Sequence, residues 1–495
     1  MTPSTWEPIA RWTILSAYFS VLLALSLYGA HRWYLLHLYR RHRRTVVAPA
    51  GRFDDLPVLT VQLPVFNELY VVERLIDSVC ALAYPRDKLE IQVLDDSTDD
   101  TVEVARRAVE AKRREGFDIV HLHREHRSGF KAGALEAGLR RARGELVAIF
   151  DADFVPRPDF AARLVHYFTD PRVGLVQARW GHLNRDHSAL TRVQSLFLDG
   201  HFVIEQTARN RSGRFFNFNG TAGIWRRTCI EDAGGWQHDT LTEDLDLSYR
   251  AQMKGWRFVF VPDAVAPAEL PVEMAAFKSQ QHRWAKGSIQ TARKLLPLIL
   301  RSALPWRVKT EAAVHLTANV CYVLMILLTL LVVPAVWLRR EISPWLIAGI
   351  DLPLFLFSSV SVAWFYAAAQ RETLGTVRGV WRSIPFLMAV GIGLAVNNSR
   401  AVAEAMTGRP SEFRRTPKYN LRRGESVVTR RYRGAVGSDV WIEAAIAIYL
   451  TIAVLGAAWA GLWLAIPFLA LFQVGFAYTV FMTLRRRGQG STARA

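Results

Sequence analysis

The chain has 495 residues, 51% of them hydrophobic, with 62 Lys and Arg against 44 Asp and Glu for a formal net charge of +18, and only 3 Cys. This composition excludes a disordered polyelectrolyte, a collagen-like chain and a disulfide-stapled scaffold. The apolar residues gather in long uncharged runs near both ends, while the middle reads as an ordinary α/β stretch, so a membrane protein with one embedded globular domain is expected.

In chain order, Thr13 to Ala30 is free of charge and long enough to span hydrocarbon, with Trp12 and Trp33 at its edges. It reads as a membrane helix and not as a cleaved signal peptide, because the basic cluster Arg40-Arg41-His42-Arg43-Arg44 follows it and no A-x-A site closes it. Other basic clusters lie around Arg414-Arg415, Arg430-Arg431 and Arg485-Arg486-Arg487, beside apolar runs. They are expected to be cytoplasmic membrane flanks and not a nucleic-acid surface, and they suit anionic substrates.

From about Pro57 to Trp306, short β-rich runs alternate with amphipathic stretches, which predicts a mostly parallel sheet covered by helices. Leu59–Leu63 is the first expected strand and leads into the loop Pro64-Val65-Phe66-Asn67-Glu68; a helix over 71–82 follows. The strand Glu90–Leu94 stops at Asp95-Asp96, where carboxylates face the ligand crevice of such sheets. After the strand Asp118–Leu122, the cationic loop His126 to Lys131 opens a small-residue helix and makes a good anion cradle. The apolar strand Leu146–Phe150 ends in Asp151-Ala152-Asp153, hard oxygen ligands suited to Mg²⁺ or Mn²⁺ bridging a diphosphate.

Thr242-Glu243-Asp244 is expected at the start of a helix over 245–254, either as a cap with dipole-favoured acids or with Asp244 as a general base for a sugar hydroxyl. The spacing of Gln280, Arg283 and Trp284 puts them on one helix face, where Arg can fork onto phosphate and Trp can stack on a sugar. His121, His123 and His126 lack partners for a zinc site, Cys80, Cys229 and Cys321 are too scattered for bridges, and neither a G-x-G-x-x-G nor a Walker loop is present.

Four further spans are expected, Val314–Leu338, Pro344–Ala369, Val440–Ala460 and Leu462–Leu484, with interior charge only at Asp351 and Glu443. Ile384–Val396 is short and reads as interfacial or re-entrant, which keeps the basic Arg409–Arg433 segment, the central domain and the C-terminus on the cytoplasmic side and leaves Arg339 and Arg340 outside.

The ordered set Asp95-Asp96, Asp151-x-Asp153, Thr242-Glu243-Asp244 and Gln280-x-x-Arg283-Trp284, followed by membrane helices, resembles the inverting family-two glycosyltransferases of the cellulose, chitin and hyaluronan synthase type. The likeness runs from about Val58 to Lys294 and is greatest to the plant cellulose-synthase-like A mannan synthases, through the runs Gln92–Asp99, Lys131–Leu135, Val176–Trp180, Phe218–Gly223 and Gln280–Trp284. The resemblance implies an α/β GT-A-type nucleotide-sugar domain embedded in an α-helical transmembrane protein of about five spans plus an interfacial helix. Residues 1–50 would then be the first membrane helix and its basic flank, 51–306 the cytoplasmic GT-A domain, and 307–495 membrane and interfacial helices with a gating-like loop at 408–438.

The resemblance also implies that Asp95 or Asp96 and the loop ending in Glu68 hold the nucleoside, that Lys131 and Asp151 lie near the diphosphate, which Gln280 and Arg283 hold, and that Asp151 and Asp153 ligate Mg²⁺ or Mn²⁺. Asp244 would be the base, with Asn219, Gly220, Thr221, Glu243 and Trp284 on the acceptor. Where the family's acceptor loop usually reads Phe-Phe-Cys-Gly-Ser, this chain has Asn217-Phe218-Asn219-Gly220-Thr221, which departs from cellulose synthases. Glu412–Lys418 resembles the family's gating segment, and no cyclic-dinucleotide-binding domain is expected after the last span.

The implied activity is transfer of a hexose from GDP-mannose or UDP-glucose to a growing β-linked polysaccharide by a multi-pass plasma- or inner-membrane enzyme. Its partners would be the donor, a glycan or lipid acceptor and the bilayer, with no nucleic acid. A glycolipid glucosyltransferase of the glucosylceramide-synthase type is the alternative, and a scaffold or transporter that has kept the fold without the chemistry is a more distant one.

Overall fold

The computed structural model describes residues 6–340, 343–409, 415–420, 432 and 437–491. Seven strands form one mixed sheet in the order β3-β2-β1-β4-β6-β5-β7: β1 Leu59–Val65, β2 Leu89–Asp95, β3 Asp118–His123, β4 Leu146–Ile149, β5 Val173–His182, β6 Gly223–Arg226 and β7 Arg257–Ala268. β3, β2, β1 and β4 run parallel, while β6 lies antiparallel between β4 and β5. β1 and β2 are buried almost throughout, as strands covered on both faces must be. Their interior polar residues pair across the ladder, Thr60 donating to Glu90 at 2.5 Å and Gln62 to Gln92 at 3.1 Å, which relieves the cost of burying them.

One apolar layer lies between the sheet and the helices Val72–Cys80 and Thr101–Arg114. The other contains Trp225, fully buried and in edge-to-face contact with Phe218, Trp236 and Phe258. Trp225→Ala is expected to destabilise the domain by about 3–5 kcal/mol, because an aromatic cavity of this size collapses only in part. A lowered thermal midpoint of the detergent-solubilised chain is the measurement that checks it.

Among the described residues, five helices are long and apolar enough to cross a membrane: Ile9–His42, Val320–Leu338, Gly349–Leu374, Asp439–Trp459 and Ile466–Arg485. The stretch expected at the interface forms the helices Val380–Gly393 and Ala395–Thr407, bent by 42° at their junction, either one broken span or a re-entrant pair. The span expected to begin at Val314 is divided, since Trp306–Thr317 is a separate helix and the apolar one starts at Val320. The first helix runs beyond Ala30 to His42, because Leu35, Leu36, Leu38 and Tyr39 pack on Val203, Ile204, Ala208 and Phe365.

The long helix Met274–Arg301 joins the two parts of the molecule. Lys278 reaches Glu443 of a membrane helix at 2.6 Å, and His282 and Lys286 both reach Glu404 at 3.1 and 3.0 Å. The carboxylate Glu443, anomalous inside an apolar run, is thus a buried ion-pair partner. Asp351, the other, meets Arg339 at 2.5 Å.

Candidate active site

The parallel strands end on one side, and a cleft opens there. Asp96, Asp151, Asp153, Glu68 and Lys131 line it from the sheet side, and Gln280, Arg283 and Trp284 line it from the long helix, so the face expected from their spacing does point into one site.

At its centre, the Lys131 ammonium donates to Asp151 at 2.5 Å and to the Gly220 carbonyl at 3.0 Å, and lies 3.9 Å from Glu243. Burial disfavours that charge, but Asp151 and Glu243 outweigh it and raise the Lys131 pKa. Asp244 is in the opposite situation: burial and the neighbouring Glu243 push its carboxyl up to about 7, against the pull of Lys131. Glu243 is raised as well, chiefly by burial. A carboxylate with a pKa near neutrality, lining an open cleft, can accept a proton at physiological pH.

Helix Glu243–Met253 starts directly after Thr242, whose side chain makes no cap hydrogen bond. Thr242 instead meets Thr291 at 3.4 Å, while Glu243 and Asp244 stand in the first turn and Asp244 Oδ1 accepts from the Leu245 amide at 2.8 Å. Gly220 approaches closely: its φ is +78°, and a β-carbon there would stand 3.1 Å from Asp244 Oδ2 and 3.4 Å from Lys131 Nζ.

Two expected contacts move. Asp95 is fully buried and does not line the cleft; its carboxylate takes hydrogen bonds from the Ser97 amide at 2.8 Å and from His121 at 2.9 Å, which hold its pKa down although burial works the other way. Thr221 is buried too, and accepts from the Asp151 amide at 2.9 Å, so it supports Asp151. Asp96 does face the cleft, with Arg124 forked onto both its oxygens at 2.7 Å.

Residues 415–420 form one wall. Arg415 meets Glu68 at 3.1 Å, and Lys418 donates to Asp153 at 2.5 Å and to the Glu269 carbonyl at 2.7 Å. Burial pushes Glu68 up to about 8, opposed by Arg415 and assisted by Asp153. Glu412, Phe413 and Arg414 of the gating-like segment, and 421–431 of the basic stretch, lie outside the described residues.

A second cavity, of about 520 Å³, extends among the membrane helices and is lined by Tyr28, Phe197, Tyr322, Tyr366, Met388 and Phe472 among others. Trp180, Asn219, Asp244, Gln280 and Trp284 line both spaces, so the cleft and the membrane cavity meet at Asp244. Trp180 and His201, neither of them assigned a role from the sequence, belong to this junction and its membrane side; Trp180 lies within a run of family likeness, whereas nothing local marks His201.

The mixed sheet with acids at its strand ends and a cleft above them is a GT-A-type nucleotide-sugar fold, joined here to helices that fit a membrane-embedded chain. Residues 57–287 match the family model described as glycosyltransferase like family 2. The chain is 46% identical over 255 residues to glucomannan 4-beta-mannosyltransferase 2 of Arabidopsis thaliana, covering 50% of this chain and 48% of that protein. It is 45% identical over 251 residues to glucomannan 4-beta-mannosyltransferase 1 of Oryza sativa subsp. japonica, again covering 50% and 48%. The chain thus spans about half the length of the curated relatives it matches. Among solved structures, a mannosyltransferase from Pyrobaculum calidifontis, in complex with GDP-Man and Mn²⁺, shares the fold with a TM-score of 0.52 at 24% identity, covering 72% of this chain and 99% of that one.

Proposed function

We propose that this chain is a membrane-bound inverting glycosyltransferase that moves mannose from GDP-mannose onto a growing β-linked mannan or glucomannan, with residues 51–306 as its cytoplasmic catalytic domain and 307–495 as its membrane part. The observation that carries this reading is the position of Asp244, with its pKa near 7, on the shared wall of the cleft and the membrane cavity. The choice of mannose follows the names of the relatives.

In this reading Asp96, Glu68 and the 64–68 loop hold the nucleoside, with Asp95 bracing Ser97 behind them. Lys131, Gln280 and Arg283 face the diphosphate, Asn219, Gly220, Glu243 and Trp284 the acceptor. Asp244 removes the proton of the attacking hydroxyl, and inversion follows from attack opposite the departing nucleotide. The membrane cavity receives the growing chain, and residues 415–420 close over the donor.

The donor set suits a divalent ion. Asp151 and Asp153 present hard oxygens into the cleft, each already facing an ammonium group. Among the described residues no group of three or more His, Cys, Asp or Glu side chains is placed to hold a metal unaided. Asp151 and Asp153 would hold Mg²⁺ or Mn²⁺, which supplies charge stabilisation for the departing diphosphate.

Membranes containing the protein, supplied with labelled GDP-mannose or UDP-glucose and Mn²⁺ or Mg²⁺, test the reading. Label from GDP-mannose in a polymer degraded by β-mannanase is expected. Label confined to solvent-extractable lipid would contradict it and favour a glycolipid product. Gly220→Ala is expected to lower the polymer rate by more than about tenfold, because the added methyl group displaces Asp244 or Lys131 from a site that tolerates little misplacement.

A further inference from the structure

Between the helices Ala189–Asp199 and Thr207–Arg211 the chain makes a π-helical turn, Gly200–Gln206. Such turns are uncommon and tend to occur at functional sites. Here the turn presents His201 and Gln206 to the same side chain, Asn219 of the loop that precedes β6. Gln206 Nε2 donates to Asn219 Oδ1 at 2.7 Å, and Asn219 Nδ2 lies 2.9 Å from His201 Nε2. Gln206 also donates to the Asn217 carbonyl at 2.9 Å, so the amide is tied to the loop it orients.

These bonds determine the protonation pattern. His201 Nε2 must accept from the Asn219 amide, which leaves Nδ1 to carry the hydrogen and donate to Glu205 Oε2 at 3.2 Å. Glu205 is held in turn by Arg209 at 3.1 Å, Arg209 by Glu311 at 2.9 Å, and Glu311 by His31 of the first membrane helix at 3.0 Å. The chain of bonds clamps one face of the Asn219 amide and leaves it one N–H and one oxygen lone pair for a ligand. Asn219 lines both the cleft and the membrane cavity, whereas His201 and Glu205 line only the cavity.

We infer that His201 and Gln206 are positioning residues that orient Asn219 toward the acceptor sugar at the mouth of the membrane cavity. The inference rests on the proposed reading of Asn219 as an acceptor contact. It assigns the turn to the acceptor side of the reaction and not to the donor side, because neither residue lines the donor cleft.

The test uses the full chain in membranes, with GDP-mannose as donor and a short manno-oligosaccharide as acceptor. His201→Ala is expected to raise the acceptor KM about tenfold and shorten the product while leaving the donor KM unchanged. His201→Gln, whose amide can accept from Asn219 and donate to Glu205, should restore most of the loss. In an Asn219→Ala background, His201→Ala should add nothing further. Gln206→Ala, read the same way, covers the case in which His201→Ala fails to accumulate. An equal change in donor KM, or additive losses in the double variant, overturns the inference while leaving the transferase reading intact. A well-accumulated wild type without transfer from any nucleotide sugar overturns that reading instead.

Discussion

Asp244→Asn is expected to reduce sugar transfer by about 10²–10⁴-fold, the range for removing a positioned general base, while leaving the chain folded and able to bind donor. The amide keeps the size of the carboxylate and can still accept from the Leu245 amide, which Asp244 Oδ1 takes at 2.8 Å. What it loses is the capacity to take a proton. In its proposed role as base, Asp244 acts as the carboxylate, present above a pKa of about 7 and lost below it, so kcat/KM should fall as the pH drops through that value. The Asn variant should lack this acid limb. A pH–rate profile of wild type beside the variant, with donor binding measured separately, is the check.

Lys131→Met carries the second large effect, a loss on the order of 10²-fold with a change in the shape of the pH profile. The Lys131 ammonium ties Asp151 to the Gly220 carbonyl and lies among Asp151, Glu243 and Asp244. Without it, three acids share a poorly solvated site with less positive charge to separate them. Since Lys131 is a cause that lowers the Asp244 pKa, its removal raises that pKa, and the acid limb must move to higher pH. Residual activity whose acid limb stays at the wild-type position would show that Lys131 does not govern Asp244.

Much of the site is legible in the sequence because parallel strands buried on both faces read as continuous apolar runs, and the acids that interrupt them must fall at the strand ends. Leu146–Ile149 followed by Asp151 and Asp153 is the plainest case, and the three- and four-residue spacing of Gln280, Arg283 and Trp284 gives one helix face in the same way. The antiparallel strand Gly223–Arg226 is not legible, since four residues carry no period and its place between β4 and β5 depends on long-range pairing. Thr221 and Asp95 read as ligand contacts because they adjoin Gly220 and Asp96, which line the cleft, yet the structure buries both of them. The π-turn at Gly200–Gln206 has the composition of an ordinary helix, and its partner Asn219 lies 18 residues beyond His201 in a separate loop, so His201 gives no local signal.

The long helix Met274–Arg301 explains how chemistry at the sheet edge is kept in register with the membrane part. It places Gln280, Arg283 and Trp284 in the cleft while Lys278, His282 and Lys286 hold it to Glu443 and Glu404. Helix and cavity together place Asp244 at the entrance to a space large enough for sugar units, lined in part by Tyr322 and Phe472 of the apolar helices.

The most direct test of that arrangement is to reconstitute the purified chain in sealed vesicles, add labelled GDP-mannose and a divalent ion outside, and treat the intact vesicles with β-mannanase. Labelled polymer that resists digestion until detergent opens the vesicles is the predicted result, because in the proposed reading the acceptor leaves Asp244 through the membrane cavity. Polymer fully digested from outside would contradict it.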